Sequence, residues 1–452
     1  MSGTGDGSGG RGAGRSGADA PDRASAGRAA APGPGGTAER SARRGAGPLR
    51  TLRSAAERID RATPPSRDRA VDGVRAAAVV GVVLGHWLVT GLVAAPGGLE
   101  TASPLAAMPG LAPASWLLNT LGLFFFVGGC AAALGLCRSR ERGEGYAHWI
   151  RARSARLARP VLVVTAAWGA ALAAGPALGV PEETLRTGAL LTVQPLWFVA
   201  VYAVTTALTP VALAADRRWG AAAALPPAAV VAAVDLARYG PWAPAVPDWA
   251  GYANVLPVWL FAYQLGVAWA GGRLRRPPGL LLLVGGALGV AALVCAGYPV
   301  SAVGVPGADR SNSAPPSLLL PALAAAQIGA AVLLRAPLER LLRRPLAWAA
   351  VAGLNLCALT VFCWHLTALL LVAAAGSVWG PVPGLTDPPG DPAWAAWRLA
   401  WIAPAAAVLA AVTAVARRFE GPWSDTVLGT PVGRAAAGLG AAAFAVGTAL
   451  LL

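Results

Sequence analysis

The residues of this 452-residue chain that could do chemistry are two histidines in apolar surroundings and a row of arginines. His86 closes the run DGVRAAAVVGVVLGH, which begins at Asp72. A run so apolar predicts a membrane span, and an ionisable side chain near its middle is costly enough to need a reason. An imidazole with an ordinary pKa of about 6.5 suits a general base. Arg75 stands 11 residues before His86. At roughly 100° per residue that is about 20° past three turns, so the two share one helix face, about 16 Å apart along the axis. Asp72, one turn before Arg75, is placed to pair with it and orient it. His365, in VFCWHLTALLL, sits at similar depth in a later span and is placed to meet His86. Each has a plainer alternative: a snorkelling anchor for Arg75, a packed histidine bonded to a carbonyl for His86 and His365.

The second cluster is WIRARSARLARP, ending at Pro160, with Arg151, Arg153, Arg156 and Arg159. A guanidinium meets a phosphate with a rigid fork of two hydrogen bonds. Ordinary anchoring at a membrane surface needs one or two such residues. Four together, beside Arg138, Arg140 and Arg142, predict a phosphate clamp in which Arg151 and Arg153 act with help from Arg156. Pro160 is expected to cap or bend the start of the following span. His148, in the same basic stretch, reads as solvated.

These residues need a membrane to position them. Hydrophobic residues are 56% of the chain and charged residues 13%, about half the charge of a soluble domain. Such a chain cannot cover a water-facing surface, and the fold class expected is an all-α polytopic transmembrane bundle. Spans of about 20 apolar residues fall near 71–94, 114–136, 157–178, 190–214, 219–236, 251–271, 279–299, 317–334, 354–375, 395–416 and 432–452. The fifth and last are the weakest, so ten or eleven spans are expected. The stretch 345–353 reads as an interfacial helix leading into the ninth. Even-numbered gaps hold 19 arginines and odd-numbered gaps 4, namely Arg186, Arg238, Arg310 and Arg398. Arginine marks the cytoplasmic side, so the N-terminus is read as inside.

Residues 1–68 carry 12 arginines against 7 acidic residues. They read as a disordered basic cytoplasmic tail with room for a short helix over 49–59 just before the membrane, and 69–452 as the transmembrane domain. No apolar segment opens the chain, so the first span is expected to act as its own insertion signal. The net charge of +15 is explained by the loops and tail rather than by nucleic acid, which is not an expected partner.

Several chemistries find no support. There is no G-x-S-x-G elbow, no H-E-x-x-H pair and no phosphate loop ending in Gly-Lys. Cys130, Cys137, Cys295, Cys357 and Cys363 show no metal-ligand spacing and read as small apolar filler, so no metal is expected. The run GLFFFVGGC from Gly122 mixes rings with small residues, as helix contacts in lipid do. QPLWFVAVY from Gln194 places Trp197 in an aromatic belt at the outer interface.

Taken in order, these motifs resemble the integral-membrane acyltransferase type 3 family. Its first span carries an Arg, ten residues and a His within D-G-x-R-x-x-A, matched from Asp72 to His86. Its F-F-x-S-G appears as FFVGG from Phe125, with Gly128 where Ser is common. Its R-x-R, R-L and Pro are Arg151, Arg153, Arg156, Leu157 and Pro160. Its L-W-F begins at Leu196, and its late aromatic–x–His is matched in FCWH, ending at His365. The resemblance runs over about 70–440 and looks like a stand-alone membrane module without an esterase-like domain.

The resemblance implies transfer of an acyl group, often acetyl in such enzymes, from cytoplasmic acyl-CoA to a hydroxyl of a glycan, glycolipid or secondary metabolite. Acyl-CoA enters as a donor substrate, and no permanently bound cofactor is expected. The site residues expected are His86, Arg75, Asp72 and His365 for catalysis and Arg151, Arg153 and Arg156 for the donor. His86 acts either as a general base or through an acyl-histidine relay; release of free CoA before acceptor is added separates the two. The location expected is the plasma membrane. A transporter or flippase for a glycan or lipid is the rival reading, since it also explains spans and buried polar groups.

Overall fold

The computed structural model describes residues 48–421 apart from 242, and parts of 430–442. Residues 1–47 of the predicted tail, Arg434 and most of the predicted span 432–452 lie outside the described residues. Among the described residues, nine helical stretches are long and apolar enough to cross a membrane, or ten if one bent pair counts as a single span. The first ten predicted spans each coincide with one of them.

The part of the predicted tail that is described is helical: α1 covers Pro48–Ala62. Proline near its start is tolerated because the first turn leaves those N–H groups unbonded in any case. The first span, α2, is Arg69–Val89, capped by the Asp68 carboxylate on the Val71 amide. It ends five residues before the predicted Ala94. Thr90 is extended, and Gly91–Ala95 pairs antiparallel with Gly98–Ala102, Gly91 facing Ala102. Gly98 turns this hairpin with a φ of +130°, which a side chain would strain. The fold is all-α as expected, with this hairpin its one sheet among the described residues, and the Thr386 carbonyl accepts from the Ala94 amide.

The second span ends in α3, Leu121–Glu141, and the third is α4, Tyr146–Ala174. Helix α4 starts eleven residues before the predicted Leu157, because Ala, Arg and Leu are good helix formers. Its arginines therefore ride on the helix with Pro160 inside it, not in a preceding loop. The fourth span breaks between α5, Glu182–Val193, and α6, Leu196–Ala207, at Gln194 and Pro195. The weak fifth span proves to be α7, Thr209–Trp219, a short 3₁₀ stretch, and α8, Leu225–Tyr239.

The core of the bundle is α9, Val255–Ala270, packed along α3. A Cβ at Gly129 would strike the Tyr263 carbonyl, and one at Gly266 the Phe126 carbonyl, so the two backbones touch. Next to them α10, Arg276–Cys295, packs on α11, Leu319–Leu333. Helix α11 bends by 57° into α12, Arg335–Leu341. The interfacial stretch is α13, Pro345–Leu356, and a break at Cys357 starts the ninth span, α14, Ala358–Ser377, four residues later than predicted. Helices α15, Pro392–Ala400, and α16, Ile402–Glu420, complete the tenth.

Candidate active site

His86 in α2 and His365 in α14 meet. His86 Nδ1 and His365 Nε2 are 2.6 Å apart, with the ring planes 14° from parallel. His365 is fully buried and its Nδ1 lies 2.6 Å from the Phe362 carbonyl. A carbonyl only accepts, so His365 Nδ1 carries the proton and Nε2 offers its lone pair. His86 Nδ1 must then be the donor to it, which leaves His86 Nε2 as a bare acceptor without a partner among the described residues. One carbonyl thus fixes both tautomers through a chain of two hydrogen bonds.

Neighbouring groups hold this chain in place. The Trp87 indole N–H donates to the His365 carbonyl at 2.8 Å, tying α2 to α14. Arg398 in α15 is 2% exposed and donates to the carbonyls of Trp87 at 2.8 Å, Thr90 at 2.5 Å and Gly384 at 3.1 Å. These carbonyls belong to the end of α2 and to the loop across from it. Such groups lack intrahelical partners, and a buried forked cation supplies five donors for them. Sequence reasoning placed Arg398 in an outer loop. The signal against that was its setting, an arginine alone within WAAWRLAW.

Two cavities flank this region. The larger, about 680 Å³, is lined by His86 with Thr90, Gln194, Trp197, Trp259 and Ser313, among others. Trp197, read from the sequence as a belt residue, therefore faces a cavity. The smaller, about 360 Å³, is lined by Arg75, Arg153, Arg156, Arg159 and Arg417, with the Glu420 carboxylate. Phe198 lines both, and its ring lies 4.7 Å from that of Phe362, which lines the larger. An aromatic partition is thus the shared wall.

The arginines divide by their position round α4. Arg153, Arg156 and Pro160 follow the three- and four-residue spacing of one helix face and line the cavity. Arg151 is two residues before Arg153, about 200° away, and is exposed without lining it. Gly135 gives Arg153 its path: a Cβ there would meet the guanidinium, which donates to the Ala131 carbonyl at 2.8 Å. Arg153 Nε is buried with no partner among the described residues. Arg417, one of the 19 arginines of the even-numbered gaps, joins Arg153 and Arg156 in the cavity wall.

Asp72 is 3% exposed and its carboxylate is held in the fork of Arg67, at 2.5 and 2.8 Å. Its distance to Arg75 is 3.9 Å. Arg67 just precedes α2, and its hydrogen bonds to Asp72 hold the guanidinium above its usual pKa against the opposing effect of burial. Asp72 thus spends both oxygens on Arg67 and meets Arg75 only at the limit of an ion pair. Gly128, where the resembled pattern has Ser, has no room for a side chain: a Cβ would run into the Tyr202 ring.

A model of the acyltransferase type 3 family, described as an acyltransferase domain, matches residues 68–417, and the chain belongs to that family. It is a multi-pass membrane O-acyltransferase. No curated protein and no solved structure matches it significantly.

Proposed function

We propose that the protein moves an acyl group, most simply acetyl, from acyl-CoA onto a hydroxyl of a glycan, glycolipid or secondary metabolite at the plasma membrane. The observation that carries the donor assignment is the arginine-lined cavity on the far side of the Phe198 partition from His86. An acyl-CoA has phosphates at one end and a thioester at the end of a long thin arm. Arg153, Arg156, Arg159 and Arg417 bind the phosphates by charge-assisted hydrogen bonds. The arm passes Phe198 and presents the thioester to His86. If arginine-rich gaps mark the cytoplasmic side, the smaller cavity opens there, where acyl-CoA is made.

His86 Nε2 takes the proton of the acceptor hydroxyl as its oxygen attacks the thioester carbonyl. The C–S bond then breaks, and the proton held on His86 Nε2 passes to the departing CoA sulfur. Ester and free CoA result, with His86 returned to its starting tautomer. His365 acts throughout as the acceptor for His86 Nδ1–H and fixes which nitrogen faces the substrate. Arg75 lines the donor cavity about three turns of α2 before His86, and Asp72, through Arg67, anchors the start of α2.

Binding of acetyl-CoA to the purified protein tests the donor assignment and separates it from a transporter or flippase. Arg153→Ala is expected to weaken binding about tenfold, the worth of one charge-assisted hydrogen bond. Arg151→Ala is expected to stay within about twofold of wild type, as an exposed charge outside the cavity should. Equal losses for both variants, or no binding by wild type, would overturn the assignment.

A further inference from the structure

The two cavities differ in charge more than in size. The smaller carries five arginines and a carboxylate. Among the described residues the larger is lined by no Asp, Glu, Lys or Arg, and His86 is its one titratable side chain. Its polar groups are neutral. The side chains of Thr90, Thr101, Gln194 and Ser313 line it and make no hydrogen bond within the protein among the described residues. Trp259 lines it too, 3% exposed, with its indole N–H buried and without a partner among the described residues. The ring of Trp197 lies beside that of Trp259 at 5.9 Å, so two aromatic surfaces border the space.

A buried N–H without a partner is disfavoured unless a ligand satisfies it. Uncommitted hydroxyls and an amide can both donate to and accept from ligand hydroxyls, and aromatic faces cover the apolar face of a ring. An ionised group would lose its water in this cavity and find no opposite charge to replace it. We propose that the larger cavity selects a neutral hydroxylated ring as the acceptor unit and rejects one bearing an ionised carboxylate or phosphate. The inference rests on the reading that this cavity holds the acceptor. The molecule thus sorts its two substrates by charge, anionic donor in one chamber and neutral acceptor in the other.

The test measures binding, so that it does not depend on turnover. The full chain is placed in lipid nanodiscs and titrated with labelled octyl β-glucoside and octyl β-glucuronide at neutral pH, with empty discs subtracted. The probes differ by one carboxylate on the same ring. Wild type is expected to bind the glucoside saturably and the glucuronide at least about tenfold more weakly. Gln194→Arg and, independently, Ser313→Arg supply a cation and are expected to narrow or reverse that preference. Equal or tighter binding of the glucuronide by wild type, or no saturable binding of the glucoside, would overturn the proposal. Acetyl transfer is followed in the same discs. Preference for the glucoside with no transfer from acetyl-CoA would leave this inference standing and count against the donor reading alone.

Discussion

At the scale of single residues, the chemistry turns on which nitrogen of His86 is bare. The Phe362 carbonyl decides this from two rings away, because it accepts from His365 and so forces His365 to accept from His86. A glutamine at position 365 can still offer a carbonyl oxygen to His86 Nδ1–H, whereas alanine offers nothing. His365→Ala is expected to lower kcat by about 100-fold, within the range of a lost acid–base contribution, and His365→Gln by clearly less. Steady-state kinetics at matched expression checks this. Equal losses for the two variants would mean that His365 matters by packing rather than by accepting that hydrogen bond. The paired histidines were legible in sequence as two polar residues at similar depth, placed to meet. Which nitrogens face each other was not, since that depends on the rotation of α14 against α2.

At the scale of elements, the end of α2 is held by Arg398 reaching across from α15 to three backbone carbonyls. Arg398→Leu leaves those carbonyls buried and unpaired, and is expected to destabilise the protein by about 3 kcal/mol. Thermal unfolding in lipid measures that loss. Because α2 carries His86, kcat should fall while the KM for acyl-CoA holds, and Arg398→Lys should recover part of the loss. A rise in donor KM with unchanged kcat would place the effect in the other cavity. This residue was misread from sequence because a count of charges by gap treats every arginine as a surface marker. Element boundaries failed for comparable reasons. Hydropathy cannot see that Thr90 leaves the helix for a hairpin, nor that α4 begins at Tyr146, since arginine lowers hydropathy yet favours a helix. Arg151 and Arg153 look alike in sequence, and only the helix that carries both separates them, one lining the cavity and one exposed.

At the scale of the whole molecule, the bundle brings two chambers, one rich in arginine and one without charged side chains among the described residues, to a common aromatic wall beside a histidine pair. The spans were readable because apolar runs of sufficient length have no other stable fate in lipid. The chambers were not, because their walls come from segments far apart in the chain, such as Arg75, Arg153 and Arg417 in one and His86, Gln194 and Ser313 in the other. The central claim is that His86 passes a proton from an acceptor hydroxyl to the departing sulfur of a CoA whose arm crosses that wall. The most direct test supplies labelled acetyl-CoA to membranes holding wild type or His86→Ala at equal amounts and follows label into the lipid and envelope fractions. The account predicts transfer by wild type and a loss of about 100-fold or more in the variant, with acetyl-CoA binding retained. Transfer by His86→Ala at the wild-type rate would contradict it.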